Sequence, residues 1–123
     1  MRGSKSDLPI LFGADEAAIR GTDWGGMRAM IVSLPTGTDI TPMLKGLPDD
    51  RCPCPHWGYV IRGRMRVISA DGEETVQAGD VFYMAPGHTV FVEEAVEFFE
   101  LAPTDEHQRV LDVVQQNAAA TSA

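Results

Sequence analysis

The sequence lacks the features by which membrane, secreted and nucleic-acid-binding proteins are recognised. No apolar run approaches the roughly 20 residues that a membrane-spanning helix needs. The apolar segment within residues 1–15 is too short for a secretion signal. Lys and Arg form no cluster, and 10 of them against 18 Asp and Glu give a formal net charge of −8. We therefore expect a cytoplasmic protein that binds neither a membrane nor a nucleic acid.

Cysteine and histidine are scarce, and their placement is uneven. The chain has 2 Cys and 3 His, and both cysteines and one histidine lie within residues 52–57. In an extended chain the Cα atoms of Cys52 and Cys54 would be about 6.6 Å apart, near the upper limit for a disulfide. We expect free thiols in a reducing compartment.

The chain of 123 residues is long enough for one domain with its own core. Short apolar or alternating runs are separated by turns such as Asp71-Gly72. We predict about eight strands, at 27–34, 39–46, 56–63, 64–70, 73–78, 81–85, 89–94 and 95–102. Many short strands with closely spaced turns are typical of an antiparallel sandwich or barrel. The predicted division is an N-terminal extension (1–25), a barrel (26–103), and a C-terminal helix with a tail (104–123).

The C-terminal segment has a different pattern. Thr104 is a plausible helix cap, and two acidic residues follow it in the first turn. We predict one amphipathic helix over residues 105–117, with His107 on its surface. Its apolar stripe would pack on the barrel or on a partner chain and comprises Val110, Val113 and Val114.

The stretch "YVIRGRMRVISADGEETVQAGDVFYMAPG" resembles the cupin family over residues 27–102. In "AGDVFYMAPGHTV", Gly79, Asp80 and Gly87 fit the second cupin motif. Val90 stands where that motif has a histidine, and His88 lies two residues earlier. The resemblance implies an all-β fold, a double-stranded antiparallel β-barrel of the jelly-roll type, here with one C-terminal α-helix. It also implies a metal or ligand site in the barrel mouth and a homodimer.

The first cupin motif fits in two registers. Counting back from its last glycine puts His56 at the family's glutamate, with Asp50 and Cys52 at its histidine pair. Counting forward from its first glycine puts the pair at Cys52 and Cys54. Both registers use Cys52 and leave its neighbour open.

Strand geometry gives a different ranking of the cysteines. In an extended strand Cys52 and His56 lie roughly 13 Å apart, whereas Cys54 and His56 lie about 6.6 Å apart. Cys54 therefore shares a metal with His56 easily, and Cys52 needs a bend in the chain. The predicted metal ligands are His56 first, then His88, then Cys52 and Cys54 almost equally. Thiolate with imidazole favours zinc over iron or manganese as the divalent metal.

Three acidic residues are candidates to complete the site, namely Asp50, Glu97 and Glu100. The two glutamates are three residues apart, so a regular strand points them to opposite faces. Our expectation is that both lie near wet strand ends. A metal-free pocket, in which the histidines and cysteines contact a ligand or one another, is the alternative to a metal site.

These residues support two classes of function. The first is a metal-dependent enzyme acting on a small organic molecule, with oxygenase, isomerase and lyase chemistry not distinguished. The second is a non-catalytic cupin that binds or senses a small ligand, with a structural zinc.

Overall fold

The computed structural model describes residues 1–122, which form seven strands, two short 3-10 helices and one α-helix. The 3-10 helices cover Thr41–Leu44 and Pro48–Asp50. The α-helix, α1, covers Thr104–Ser122. The strands are β1 (Ile10–Ala14), β2 (Ala17–Trp24), β3 (Met27–Leu34), β4 (His56–Ser69), β5 (Gly72–Gln77), β6 (Val81–Met84) and β7 (Thr89–Pro103).

All strand pairs are antiparallel, in the order β1-β2-β3-β7-β4-β5, and β6 pairs with the first part of β4. The two long strands, β4 and β7, run side by side from the Trp57–Leu101 pair to the Ile68–Thr89 pair. This arrangement confirms the predicted all-β antiparallel fold with one C-terminal helix.

The hydrophobic core lies against the inward-facing side of the sheet. Burial alternates along most of β3 and β7, as expected for strands with one face inside. The best-buried apolar side chains, at 0–1% exposure, include Met30, Val60, Met65, Val92 and Val96.

Two predicted strand boundaries are absent from the described chain. The strands predicted at 56–63 and 64–70 are one continuous strand, β4, which ends at Ser69, and those predicted at 89–94 and 95–102 are one strand, β7. Gly63 has φ +84° and sits among the register irregularities between β4 and β7. The bend predicted at Gly63 is therefore a bulge inside a strand rather than a turn between two strands.

Residues 1–25, predicted as an extension without strands, contain β1 and β2. These strands form a hairpin that continues the sheet from β3, with Ala18 paired to Ser33 and Trp24 to Met27. The turn between them includes Asp15 at φ +52°. Mixed small, charged and apolar residues in β2 hide the alternation that marks a strand.

The prediction of a weak strand at residues 39–46 was wrong. Thr41–Leu44 is a 3-10 helix, with Pro42 in its first turn where no N–H is needed. The chain before this helix follows the edge of β7 that β3 leaves free. Val92 N donates to Thr38 O at 2.8 Å, and Ile40 N donates to Val90 O at 3.2 Å. This path carries the chain toward the site described below.

Helix α1 begins one residue earlier and ends later than predicted. It packs on its own barrel, with Val110 and Leu111 buried. Near its end, Asn117 Nδ2 donates to Met43 O at 2.7 Å and to Lys45 O at 2.9 Å. Among the helices formed by residues 1–122, none combines the length and the hydrophobicity of a membrane span.

Candidate metal site

Three predicted ligands converge inside the barrel. Cys52, His56 and His88 each offer one ligand atom, and these atoms lie within 4.8 Å of one another. The three residues are only 3%, 5% and 2% exposed, respectively. His56 opens β4, and His88 directly precedes β7.

Cys52 reaches this position because it pairs with His88 through the backbone. Cys52 N donates to His88 O at 2.8 Å, and Gly87 N donates to Cys52 O at 2.7 Å. Residues 53–55 are not a strand, since β4 begins only at His56. The chain therefore bends between the cysteine and the histidine, and Cys52 Sγ lies 3.5 Å from His56 Nε2.

The other predicted cysteine lies outside this group. Cys54 is buried, and its Sγ lies 3.5 Å from the backbone oxygen of Pro55. Burial raises the pKa of both the Cys52 and the Cys54 thiol to about 12. A bound divalent cation would reverse that preference at whichever thiol it contacts, because coordination deprotonates a thiol.

The His88 ring is held with one nitrogen available. Its Nδ1 donates to Ala85 O at 2.8 Å, because a carbonyl oxygen only accepts. Burial lowers the pKa of His88 to about 4, so the ring is neutral near pH 7 and its Nε2 carries a lone pair. A backbone carbonyl on the other nitrogen is the usual outer support of a metal-bound histidine.

The His56 ring has a buried polar atom without a partner. Its Nδ1 lies 3.5 Å from Glu100 Oε1 but makes no hydrogen bond within the described chain. Burial lowers the pKa of His56 to about 4. An unsatisfied buried nitrogen costs free energy unless something else is bound. The neutral imidazoles, the thiol and this unsatisfied nitrogen fit a transition-metal site.

The three acidic candidates lie in different surroundings. Asp50 Oδ1 accepts from Gly46 N at 2.9 Å on the surface. Glu97 accepts from Ser33 Oγ at 3.1 Å and pairs with Lys5. Glu100 faces inward beside His56, and burial raises the pKa of its carboxyl group. The expectation that both glutamates lie near wet strand ends was wrong for Glu100.

His107 is a residue of the site that our sequence analysis placed on the surface. It is 5% exposed and lines the same cavity as the three candidate ligands. Arg28 Nη1 donates to His107 Nδ1 at 3.0 Å. The same guanidinium is held by Asp23 Oδ1 at 2.8 Å and Gln108 Oε1 at 2.8 Å. The helical spacing of His107 with Val110 and Val114 on one face is the signal that would have revealed this burial.

A cavity of about 300 Å³ opens beside these groups. Its polar end comprises Cys52, His56, His88, Glu100 and His107. Its other walls are mostly apolar and include Phe12, Ile19, Leu34, Met43, Phe98 and Val114. The arrangement resembles many small-molecule sites, where a few polar groups orient a ligand in an apolar pocket.

No protein-family model and no curated protein matches the sequence, but solved structures share its fold. An RmlC-like cupin from Shewanella frigidimarina is 13% identical, with 82% of this chain and 88% of that chain covered at a TM-score of 0.59. A cupin-2 domain protein from the same organism is 13% identical, with coverage of 74% and 84% and a TM-score of 0.53. The chain has the cupin fold.

A third similar structure belongs to an enzyme with metal centres. The oxalate decarboxylase of Bacillus subtilis, described with Mn(II) centres, is 20% identical at a TM-score of 0.60. The alignment covers 82% of this chain and 28% of that chain, so the present chain matches only part of the decarboxylase. At this identity the likeness concerns the fold alone. In this chain, Val90, at the expected histidine position, is buried in the cavity wall.

Proposed function

We propose that this cupin is a metal-dependent enzyme acting on a small organic molecule, with zinc bound by Cys52, His56 and His88. The observation that carries the proposal is the convergence of these three buried side chains at the polar end of an apolar cavity. Groups that are costly to bury, gathered at a cavity, mark a functional site more often than a structural one.

The donor set supports zinc as the metal. Thiolate and imidazole together suit zinc, whereas manganese prefers carboxylate, carbonyl and water oxygens. Three protein ligands with a position left for water or substrate are characteristic of catalytic zinc sites, and four protein ligands of structural ones. Cys54 lies outside the converging group, which favours the three-ligand arrangement.

The remaining polar residues have roles to perform around a substrate. A bound zinc ion supplies a Lewis acid for a carbonyl or hydroxyl oxygen of the substrate. Glu100, buried beside His56, would take up or return a proton. His107 would orient a substrate oxygen from the helix side. The apolar walls would exclude water from the reacting atoms.

Metal analysis of the untagged protein, purified without chelators, tests the proposal. We expect about one equivalent of zinc in the wild type and in Cys54→Ala, and loss of zinc in His56→Ala. Cys54→Ala is the matched control, because this thiol is equally buried but lies outside the group. Thermal unfolding would show that each variant is folded. No bound metal, or full retention of zinc by folded His56→Ala, would contradict the proposal.

One observation favours the non-catalytic alternative, a cupin that binds or senses a small ligand. The terminal helix supplies His107, Val110 and Val114 to the cavity wall, so a ligand in the cavity would contact α1 directly. Cobalt substitution separates the two functions. A visible spectrum that changes when small anions are added indicates an exchangeable position and supports an enzyme. An unchanged spectrum supports a closed, structural metal.

A further inference from the structure

We infer that the ligand of this cavity is a monocarboxylate or a similar single-headed oxygen compound that has an apolar body and about ten non-hydrogen atoms in all. This inference specifies the ligand of the proposed function. It rests on the proposed function only for the metal that would bind the head group of the ligand. It stands on the shape and polarity of the cavity, on the charges around it, and on the orientation of one histidine.

The size and walls of the cavity define the body of the ligand. A volume of about 300 Å³ holds roughly ten groups of the size of a water molecule, at about 30 Å³ each. Away from the polar end the lining is almost entirely aliphatic or aromatic, with Ile19, Leu34, Met43 and Phe98 as examples. Each methylene group of a ligand buried there gains about 0.8 kcal/mol. A wholly polar ligand would lose its hydration without gaining partners.

The charges around the cavity limit the ligand to one anionic group. Within residues 1–122, no Lys or Arg side chain lines the cavity, whereas Asp39 and Glu100 do. Asp39 Oδ1 is already used, since it accepts from Thr41 N at 2.9 Å. A second carboxylate or a phosphate at the apolar end would be buried without a positive partner, which is strongly unfavourable.

The orientation of His107 selects a head group that accepts hydrogen bonds. A guanidinium group only donates, so Arg28 fixes His107 Nδ1 as an acceptor. The neutral ring then carries its proton on Nε2, and His107 lines the polar end of the cavity. A carbonyl or carboxylate oxygen suits this donor, and an ammonium group does not. His107 is therefore a positioning residue for the head group.

Isothermal titration with butanoate, hexanoate, octanoate and hexanedioate tests the inference. We expect the Kd of the zinc-loaded protein to fall about fourfold for each added methylene, which is 0.8 kcal/mol converted to a ratio. Hexanedioate has the length of hexanoate and a second carboxylate, and we expect it to bind at least tenfold more weakly.

Three variants assign the effect to the cavity. Leu34→Gln should reduce the gain per methylene, while Ile10→Gln, at the 50% exposed Ile10 outside the cavity, should leave it unchanged. His107→Leu should weaken all three monocarboxylates by about the same factor, near tenfold for a hydrogen bond to a charged group, with the gain per methylene retained.

The inference is overturned if hexanedioate binds as well as hexanoate, if chain length has no effect, or if none of the monocarboxylates binds. The same titrations on metal-stripped protein separate it from the proposed function. A chain-length effect in a protein that binds no metal would contradict the proposed metal site and leave the apolar subsite intact. A protein that binds metal but shows no chain-length effect would support the proposed metal site and contradict the apolar subsite.

Discussion

At the scale of single residues, the unusual feature of this protein is a set of ionisable groups buried together. Cys52, His56, His88, Glu100 and His107 all border one cavity. Two of the histidines have one ring nitrogen fixed by a hydrogen bond, to Ala85 O and from Arg28. The chain therefore orients these rings before any ligand arrives, which reduces the cost of organising a site.

The pH dependence of stability follows from this burial. Burial lowers the pKa of His56, His88 and His107 from 6.5 to about 4. Between these values the unfolded chain binds more protons than the folded one, so stability falls as pH falls from 6.5 toward 4. The shift corresponds to about 3 kcal/mol for one such histidine. Burial raises the pKa of Glu100. This shift favours the folded protein as pH falls, but it involves one group, whereas three histidines have the opposite effect.

Urea unfolding of the metal-stripped protein at pH 7.5, 6.0 and 5.0 measures this effect. We expect the free energy of unfolding to be highest at pH 7.5 and to decrease at each step. The slope should be smaller in His107→Leu, which lacks one of the three groups. A stability that is flat or that rises toward pH 5.0 would contradict the assignment of neutral, buried histidines.

Much of this residue set could be predicted from the sequence, but the geometry of the set could not. His56, His88 and at least one cysteine were expected to share a pocket, and the structure brings His56 and His88 together with Cys52. A straight strand would bring Cys54 closer to His56, but the backbone pairing of Cys52 with His88 bends the chain and places Cys52 beside His56 instead. That pairing is between residues 36 positions apart, and no local pattern encodes it.

At the scale of elements, the bulge at Gly63 lets β4 bend while it stays paired with β7. A Cβ atom at this position would lie 2.1 Å from Ala95 O, and the backbone has φ +84°. We predict that Gly63→Ala lowers the free energy of unfolding by more than about 3 kcal/mol, because strain and a backbone clash add.

Gly25→Ala is the matched control for that substitution. Gly25 also has positive φ, at +59°, but a Cβ there would meet no described atom within 4 Å. Only the conformational cost should remain, about 1 kcal/mol. Urea denaturation of both variants gives the comparison. Equal losses at the two positions would show that Gly63 is needed only for its dihedral angles and not for the close approach of β7.

The elements were predictable where patterns are local and strong. Alternation in β3 and β7, and the apolar stripe of α1, are read directly from the sequence. The β1–β2 hairpin escaped because β2 is mixed in character and is stabilised by pairing with β3 rather than by its own propensity. Residues 39–46 failed as a strand because Pro42 starts a 3-10 turn there.

At the scale of the whole molecule, one face of the sheet exposes a group of large apolar side chains. They alternate along β4 and β6 and comprise Trp57, Tyr59, Ile61, Val81 and Tyr83, at 44–79% exposure. With about 150–250 Å² for each aromatic side chain, this aromatic face offers roughly 500 Å² per copy. Two copies would bury about 1,000 Å², and the polar rim would bring the total into the range of about 1,200–2,000 Å² of stable interfaces.

The homodimer expected from the cupin resemblance stays a prediction, and this face is where we place it. Light scattering after gel filtration should give twice the chain mass for the wild type. Val81→Glu should give a monomer, because it buries a charge without a partner. Ala119→Glu, on an exposed position of α1, should remain dimeric. Association should strengthen with salt, since each copy carries a net charge of −8. A monomeric wild type, or a dimeric Val81→Glu, would refute the assignment.

The most direct test of the central claim is the near-ultraviolet spectrum of the cobalt-loaded protein and its two cysteine variants. Our account predicts a thiolate-to-cobalt charge-transfer band in the wild type and in Cys54→Ser, and its loss in Cys52→Ser, because Cys52 Sγ lies 3.5 Å from His56 Nε2 and Cys54 points elsewhere. A band that survives in Cys52→Ser and disappears in Cys54→Ser would contradict the site described here.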